Sequence, residues 1–471
     1  MSNLDRRGEN RVATVGNDGQ MATSRREFVR HGAIAAAASL SIVPRYVLGG
    51  PGQTAPSDRL NIAAVGVGGM GGGNVNKLGT TENIVALCDV DRIRAAATFA
   101  SFSRAKTYQD FREMLIDDRL NIDAVVVSTP DHTHAVAAMM ALKLGKHVYC
   151  EKPLSHTVFE SRELARVARQ QGVATQMGNG GHANEGARLT NEWIQAGVIG
   201  EVREVHVWTD RPGEGWRQGI PRPTEAPPVP ESIHWDLWLG PAPDRPYHPI
   251  YLPATWRGWW DFGTGAIGDM GCHIIDHPVW ALKLSHPSTV QAIATHSGSH
   301  LPDGEWNHET YPHACLIRYE FPARQDKPPV TMTWYDGGLM PPKPREMESE
   351  HDLPSNGVLY VGSEGKMFHG SHGGMPQLIP LSRMDDFEAP AQTMERSIGH
   401  HEEWIAACKG GKPSLTNFGY SGPLTEIVLL TNVALRARGK RIDWDSDNMR
   451  ISNQSDLNRH LTPEYREGWN L

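Results

Sequence analysis

The sequence predicts an α/β protein in two parts. A doubly wound parallel sheet comes first, followed by a second α/β domain on a large, mostly antiparallel open sheet. Three observations predict this. Apolar runs and helical stretches alternate through residues 60–178, and the first run passes straight into a glycine-rich turn and a helix. Beyond residue 200 the candidate strands alternate apolar and polar side chains, as in sheets with one solvated face. The length of 471 residues exceeds one ordinary core and asks for two domains plus extensions. The expected division is a leader over 1–50, a first domain over 58–180, a second over 181–445 and a tail over 446–471.

Composition narrows the class. The chain is 39% hydrophobic and 21% charged, which is globular, and its net charge of −8 argues against a nucleic-acid-binding surface. The 48 glycines and 33 prolines suit a loop-rich enzyme. The five cysteines are scattered and contain no C-x-x-C pair, so neither a zinc ribbon nor a disulfide scaffold is expected.

The N-terminus carries the compartment signal. Ser24-Arg25-Arg26-Glu27-Phe28-Val29 precedes an apolar, alanine-rich run over 32–43, too short for the roughly 20 residues of a membrane span. Paired arginines before such a run read as twin-arginine export, with Val47-Leu48-Gly49-Gly50 as a cleavage region and an uncleaved anchor as the alternative. A periplasmic or otherwise exported protein is expected, meeting the membrane only through export. That pathway carries folded proteins, which suits an enzyme that loads a cofactor before leaving the cytoplasm.

Residues 60–65 read as a buried parallel strand, and Gly66-Val67-Gly68-Gly69-Met70-Gly71 follows at once. The first glycine permits the tight turn, the second lets backbone N–H groups approach a pyrophosphate, and the third lets helix and strand pack closely. The next strand, 83–88, ends at Asp89, about 20 residues past the glycines, where a carboxylate meets ribose hydroxyls and repels a 2′-phosphate. The turn therefore reads as a Rossmann dinucleotide site for NAD, with NADP as the alternative because Arg92 and Arg94 are near. Helices follow over 91–99 and 110–117, then a strand over 122–128 running into Thr129-Pro130-Asp131-His132-Thr133-His134. A helix over 135–144 and a strand over 147–150 lead to Glu151-Lys152-Pro153, so Lys152 lies where a strand delivers side chains to the cleft. Residues 173–178 read as the sixth strand, and Asn179 opens a hinge into a helix over 185–195.

In the second part, strands are expected over 202–208, 290–295, 314–321 and 330–334, with another strand and a tight turn over 359–365. Helical stretches over 401–407 and 424–437 close the fold. Together the Gly66–Gly71 turn, Thr129-Pro130 with His134, Glu151-Lys152-Pro153, and Gly263, Gly265, Asp269, Gly271 and His273 resemble the Gfo/Idh/MocA oxidoreductases. That family comprises the relatives of glucose–fructose oxidoreductase and inositol dehydrogenase. The resemblance runs from about residue 60 to 445. It implies a nucleotide-binding domain, an α/β domain whose open sheet forms an oligomer interface in a dimer or tetramer, and a carbohydrate substrate. It also implies that Lys152, Asp269 and His273 are catalytic, and that Thr129, Pro130, His134, Glu151, Lys152 and Asn179 belong to the cofactor set. The chain departs from the family pattern in a Pro- and Trp-rich insertion over 211–260.

Asp269 and His273, four apart on a helix, share a face, so Asp269 is expected to orient the imidazole. A histidine with an ordinary pKa near 6.5 suits proton transfer. His273, His277, Asp269 and Asp276 also have a spacing open to zinc, but Pro278 disfavours a regular helix there, and no metal is assigned. Trp256, Trp259 and Trp260 are candidate faces for a sugar ring, or else core of the insertion. The expected activity is hydride transfer at a hydroxyl or keto group of a sugar, glycoside or polyol, with a tightly held cofactor. Two other readings stand beside it: a glycosidase working through transient oxidation, and a sugar-binding protein that keeps the fold.

Overall fold

Five-residue β1 (Asn61–Val65) is buried along nearly its whole length because parallel neighbours and helices cover both of its faces. It pairs with β2 (Asn83–Cys88) on one side and β4 (Ala124–Val127) on the other, both parallel. β3 (Lys106–Tyr108), β5 (His147–Cys150) and β6 (Thr175–Met177) extend this to a six-stranded sheet of order β3-β2-β1-β4-β5-β6. The reversal of winding at β1/β4 opens a crevice at the strands' carboxyl ends, where ligands bind in such sheets. The structure is a computed structural model and describes residues 58–295 and 306–471. The leader expected over 1–50 lies outside the described residues. Among the described residues no helix is long and apolar enough to cross a membrane.

The second sheet has nine strands in the order β13-β12-β11-β7-β10-β9-β8-β14-β15. They are β7 (Val202–Trp208), β8 (Thr289–Ala294), β9 (Cys315–Phe321), β10 (Val330–Tyr335), β11 (Gly357–Gly362), β12 (Lys366–Gly370), β13 (Gln377–Ile379), β14 (Arg441–Asp445) and β15 (Arg450–Ile451). Only the β7–β10 pairing is parallel, so the mostly antiparallel expectation matches. In β9 buried and less buried residues alternate, which gives one face to the core. Helix Phe418–Arg436 lies against β8 and against helix Val158–Gln171, joining the two sheets through one apolar core. Strands β3, β12, β13, β14 and β15 were outside the sequence expectations; most are short and lie toward the ends of their sheets.

Three helix starts moved. The long helix expected over 424–437 begins already at Phe418. The first residues of the segment expected as a helix over 91–99 form a turn instead, because the Asp91 carboxylate accepts the Ile93 and Arg94 N–H groups at 3.1 Å, and the helix begins at Ala96. Helix Asp131–Lys143 starts four residues earlier than expected, directly after Pro130, so Asp131, His132 and His134 occupy its first turn. That places Asp131 and His134 at the crevice rather than on a connecting loop, while His132 turns to the Phe262 and Trp238 carbonyls.

Candidate active site

The glycine turn is built by close approach. Gly66 has φ +79°, and a Cβ added at Gly71 would sit 1.9 Å from the Gly66 carbonyl oxygen. Only glycine at both positions lets the turn close beneath helix Met70–Leu78. Gly69, the residue before that helix, offers no side chain to cap it, so the first N–H groups of the helix, ahead of that of Gly72 on the Gly69 carbonyl, stay open to an anion. These features fit a pyrophosphate.

Asp89 ends β2 at the turn and holds it. Its Oδ2 accepts the Val67 and Gly68 N–H groups at 2.8 and 2.9 Å, and its Oδ1 accepts that of Asp91 at 2.9 Å. Burial pushes this carboxyl above its ordinary range, against those three bonds. The residue expected to meet the ribose therefore also fixes the loop, with little acceptor capacity left over.

One cavity collects Gly66, Gly68, Gly69, Met70, Asp89, Thr129, Pro130, His134, Glu151 and Lys152. Val67 is buried behind it, with its N–H on Asp89. His134 bridges two turns: its Nδ1 lies 2.7 Å from the Pro153 carbonyl and its Nε2 2.8 Å from that of Thr129. A neutral ring donates to one of these at a time, so His134 ties the Glu151–Pro153 turn to the Thr129–Pro130 turn. Glu151 is buried and accepts the Asn74 amide at 2.8 Å.

Lys152 leaves this turn toward helix Gly265–Ile274. Its Nζ donates to the Asp269 carbonyl at 2.7 Å and to Asp269 Oδ1 at 2.8 Å. Arg257 Nε donates to the same Oδ1 at 2.8 Å, and its guanidinium lies 4.3 Å over the Trp256 ring. One carboxylate is thus shared by two cations. Burial alone would raise the Asp269 carboxyl, but Lys152 and then Arg257 outweigh it and hold it well below the usual carboxylate range. This corrects the sequence expectation: Asp269 binds Lys152 and Arg257, not the His273 ring. A neutral imidazole competes poorly with two cations for a largely buried carboxylate.

His273 shares the helix with Asp269. Its Nδ1 is buried without a hydrogen-bond partner, and its ring lies 4.2 Å, centroid to centroid, from that of His372. Burial first, then the charge of Lys152, hold its pKa well below the ordinary histidine value. It is neutral near pH 7 and able to accept a proton.

Residues 60–179 match the oxidoreductase family described as "NAD-binding Rossmann fold", and residues 188–315 match its "C-terminal alpha/beta domain". Together the two cover just over half of the chain. The chain belongs to the Gfo/Idh/MocA oxidoreductase family. Its first domain is accordingly an NAD-binding Rossmann domain. Inositol 2-dehydrogenase of Salmonella typhimurium is 30% identical over 152 residues, 31% of this chain and 45% of the relative. The 1,5-anhydro-D-fructose reductase of Ensifer adhaerens is 27% identical over 221 residues, 44% of this chain and 54% of the relative. The chain thus spans about half the length of the curated relatives it matches. Among solved structures, the WlbA dehydrogenase of Chromobacterium violaceum, in complex with NADH and UDP-GlcNAcA, gives a TM-score of 0.57 at 17% identity. That match covers 83% of this chain and 97% of the other. Levoglucosan dehydrogenase, in complex with NADH and levoglucosan, gives 0.53 at 17% identity, covering 82% and 99%. At these identities both establish the fold alone.

Other residues expected in the family's cofactor and substrate sets lie elsewhere. Asn179 is fully buried and its amide donates to Asp276 Oδ2 at 3.0 Å, beside His182 at 2.9 Å and the Tyr420 hydroxyl at 2.6 Å. A buried carboxylate needs such donors, and they draw Asn179 out of the cavity lining. Trp259 is buried in an aromatic cluster with Tyr251 and Phe262 and presents no face to a sugar. Trp260 lies 3.7 Å from Tyr311 and under Arg436, in the wall of a different cavity. Of the three tryptophans, Trp256 alone lines the Lys152 cavity. Among the described residues no three His, Cys, Asp or Glu side chains converge as a metal site.

Three features of the site carried no local sequence signal. Arg257 joins the Lys152–Asp269 pair from the insertion, and His372 reaches His273 from the loop after β12. The insertion also runs beside the cofactor crevice. Arg92 N–H donates to the Ser232 carbonyl at 3.0 Å and His234 N–H to that of Val90 at 2.9 Å, while Ile233, Leu237 and Trp238 join the cavity wall.

Proposed function

We propose that the chain is an exported NAD-dependent dehydrogenase acting on a CH–OH group of a sugar, glycoside or polyol. The observation that carries this is Lys152, held by Asp269 beside Arg257 in the wall of the cavity that the glycine turn opens into, with a neutral His273 one helical turn on. NAD bound in this cavity supplies the two-electron acceptor for the carbinol carbon. His273 takes the hydroxyl proton at Nε2, the nitrogen left free by the buried Nδ1. Lys152 spends two N–H groups on Asp269 and keeps the third for the oxygen on which negative charge develops. Asp269 and Arg257 fix the ammonium so that it need not reorganise as that charge appears.

The 232–234 strap supports a cofactor that stays bound through the catalytic cycle. It pairs with Val90 and Arg92 beside Asp89 and lines the same cavity through Ile233, where it would flank a bound cofactor. Asp89 favours NAD, while the Arg94 side chain over Gly68 and Gly69 would accommodate a 2′-phosphate, so NADP is the competitor to test. The Arg25-Arg26 leader supports export, and replacing both arginines by lysine is expected to keep the protein in the cytoplasm. The open face of the nine-stranded sheet supports a homo-oligomer, which light scattering reads directly.

The deciding experiment is to purify the full chain, identify any nucleotide released on denaturation, and follow reduced cofactor against a panel of polyols, sugars and glycosides. Reduced cofactor appearing with one class, and lost in Lys152→Ala and His273→Ala, supports the proposal. Full turnover in either variant refutes the role given to that residue. Net glycoside hydrolysis without reduced cofactor would instead assign the transient-oxidation cycle.

A further inference from the structure

His273 lacks the support that a proton-transferring imidazole usually has. Its Nδ1 has no partner, and Asp269 is committed to Lys152 and Arg257. A ring with no bonded nitrogen turns about its last torsion unless something flat lies against it. His372 supplies that surface, 4.2 Å away at a tilt of 35°.

The backbone around His372 is built to hold it there. His372 has φ +57°, a conformation that costs a side-chain-bearing residue energy and persists only where the surroundings impose it. They do so here through glycine. A Cβ at Gly181 would lie 2.6 Å from the His372 Cα, and one at Gly186 would lie 2.3 Å from the Gly374 carbonyl. Asn184 Nδ2 donates to the His372 carbonyl at 2.8 Å. The hinge that leaves the first domain therefore clamps the loop that carries His372.

We infer that His372 is a positioning residue, whose ring packs on His273 and holds that imidazole in one orientation for proton transfer. The inference rests on the reading of His273 as the base. His372 does not relay the proton, because its ring lies tilted over that of His273 and the His273 Nδ1 has no hydrogen-bond partner. Its own Nδ1 is 2.9 Å from the Ser371 hydroxyl. Lys152, Arg211 and Asp269 are the charged groups whose fields reach it, alongside His273 itself.

The test uses the full-length holoenzyme and three variants. His372→Asn removes the ring with a residue that tolerates positive φ; His372→Phe keeps a flat ring but no ionisable nitrogen. An aromatic contact of this kind sets the expected loss in kcat for His372→Asn at about tenfold, with KM and NAD affinity within about twofold. His372→Phe is expected to recover most of that rate. Independently of activity, the nitrogen-15 resonances of His273, assigned by their loss in His273→Ala, should shift or broaden in His372→Asn and stay near wild type in His372→Phe. Wild-type kcat and unchanged His273 signals in His372→Asn overturn the inference, as does a His372→Phe enzyme no better than His372→Asn. Full turnover in His273→Ala would sink the base reading instead, and the resonance measurement separates the two failures.

Discussion

Replacing Asp269 by Asn tests the centre of the site. The side chains of Lys152 and Asp269 are 12% and 11% exposed and that of Arg257 is 27% exposed, so the cluster is largely removed from water. At 2.8 Å and an effective dielectric constant near 20, each cation attracts the carboxylate by about 6 kcal/mol before desolvation is counted. An asparagine keeps the shape and can set its amide oxygen where both cations meet Oδ1, but that oxygen carries no net charge. Lys152 retains the Asp269 carbonyl at 2.7 Å and Arg257 its place over Trp256, so part of the attraction survives. Breaking a buried pair from one side typically costs about 3–5 kcal/mol, and we expect about 3 kcal/mol by urea denaturation at pH 7. Turnover should fall by about 10²-fold or more as the ammonium loses its fixed position, while NAD affinity changes little. A double-mutant cycle decides which partner Asp269 serves. Strong non-additivity with Lys152→Met and near-additivity with His273→Ala are expected, because only the first pair is in contact. A variant within about 0.5 kcal/mol of wild-type stability, or coupling to His273 instead of Lys152, would refute the argument.

Other measurements probe the rest of the frame. Gly71→Ala puts a methyl 1.9 Å from the Gly66 oxygen and should cost about 3 kcal/mol or more, with loss of NAD-induced stabilisation in thermal melts. His234→Pro deletes the N–H that joins the strap to Val90, and should speed NAD release up to about tenfold in a fluorescence dissociation assay. Stability should fall on mild acidification. Burial holds His132 and His277 to about 3 and His369 to about 4, so the unfolded chain binds more protons below pH 6.5. Asp131 and Asp336, raised by burial to about 6, oppose this because the folded chain protonates them first as pH falls. These five groups give a net loss of about 1.6 kcal/mol per pH unit near pH 5.5, and His400 and His460, held to about 3 and about 4, add to it, readable as urea midpoints at pH 7, 6 and 5.

The first sheet was legible in the sequence because parallel strands covered on both faces are plain apolar runs, punctuated by turns that need glycine. β1, β2, β4 and β5 each end one or two residues before the residue that the pattern assigns to the crevice: Gly66, Asp89, Thr129 and Glu151. β3 escaped because Lys106–Tyr108 is a short edge strand with no buried residue, so no apolar run marks it. The site was half legible for a different reason. Lys152 and His273 sit on elements whose local signals are strong, whereas their partners arrive from far along the chain. Lys152 meets Asp269 across 117 residues, and the loop of His372 meets Asn184 across 188. Helical spacing shows which side chains share a face, but not which one wins a carboxylate.

The competition for Asp269 also explains why the chain keeps a histidine in a strained loop. A carboxylate next to an imidazole can orient it, but here that carboxylate balances two cations, and its loss to them leaves His273 Nδ1 bare. Stacking holds a ring without adding charge to it. That matters beside Lys152, which already depresses the pKa of His273. A carboxylate bonded to Nδ1 would instead raise that pKa. In the proposed mechanism the division of labour is therefore electrostatic: Asp269 spends its charge fixing the cation that would stabilise an oxyanion, and an uncharged ring from the second domain would fix the base.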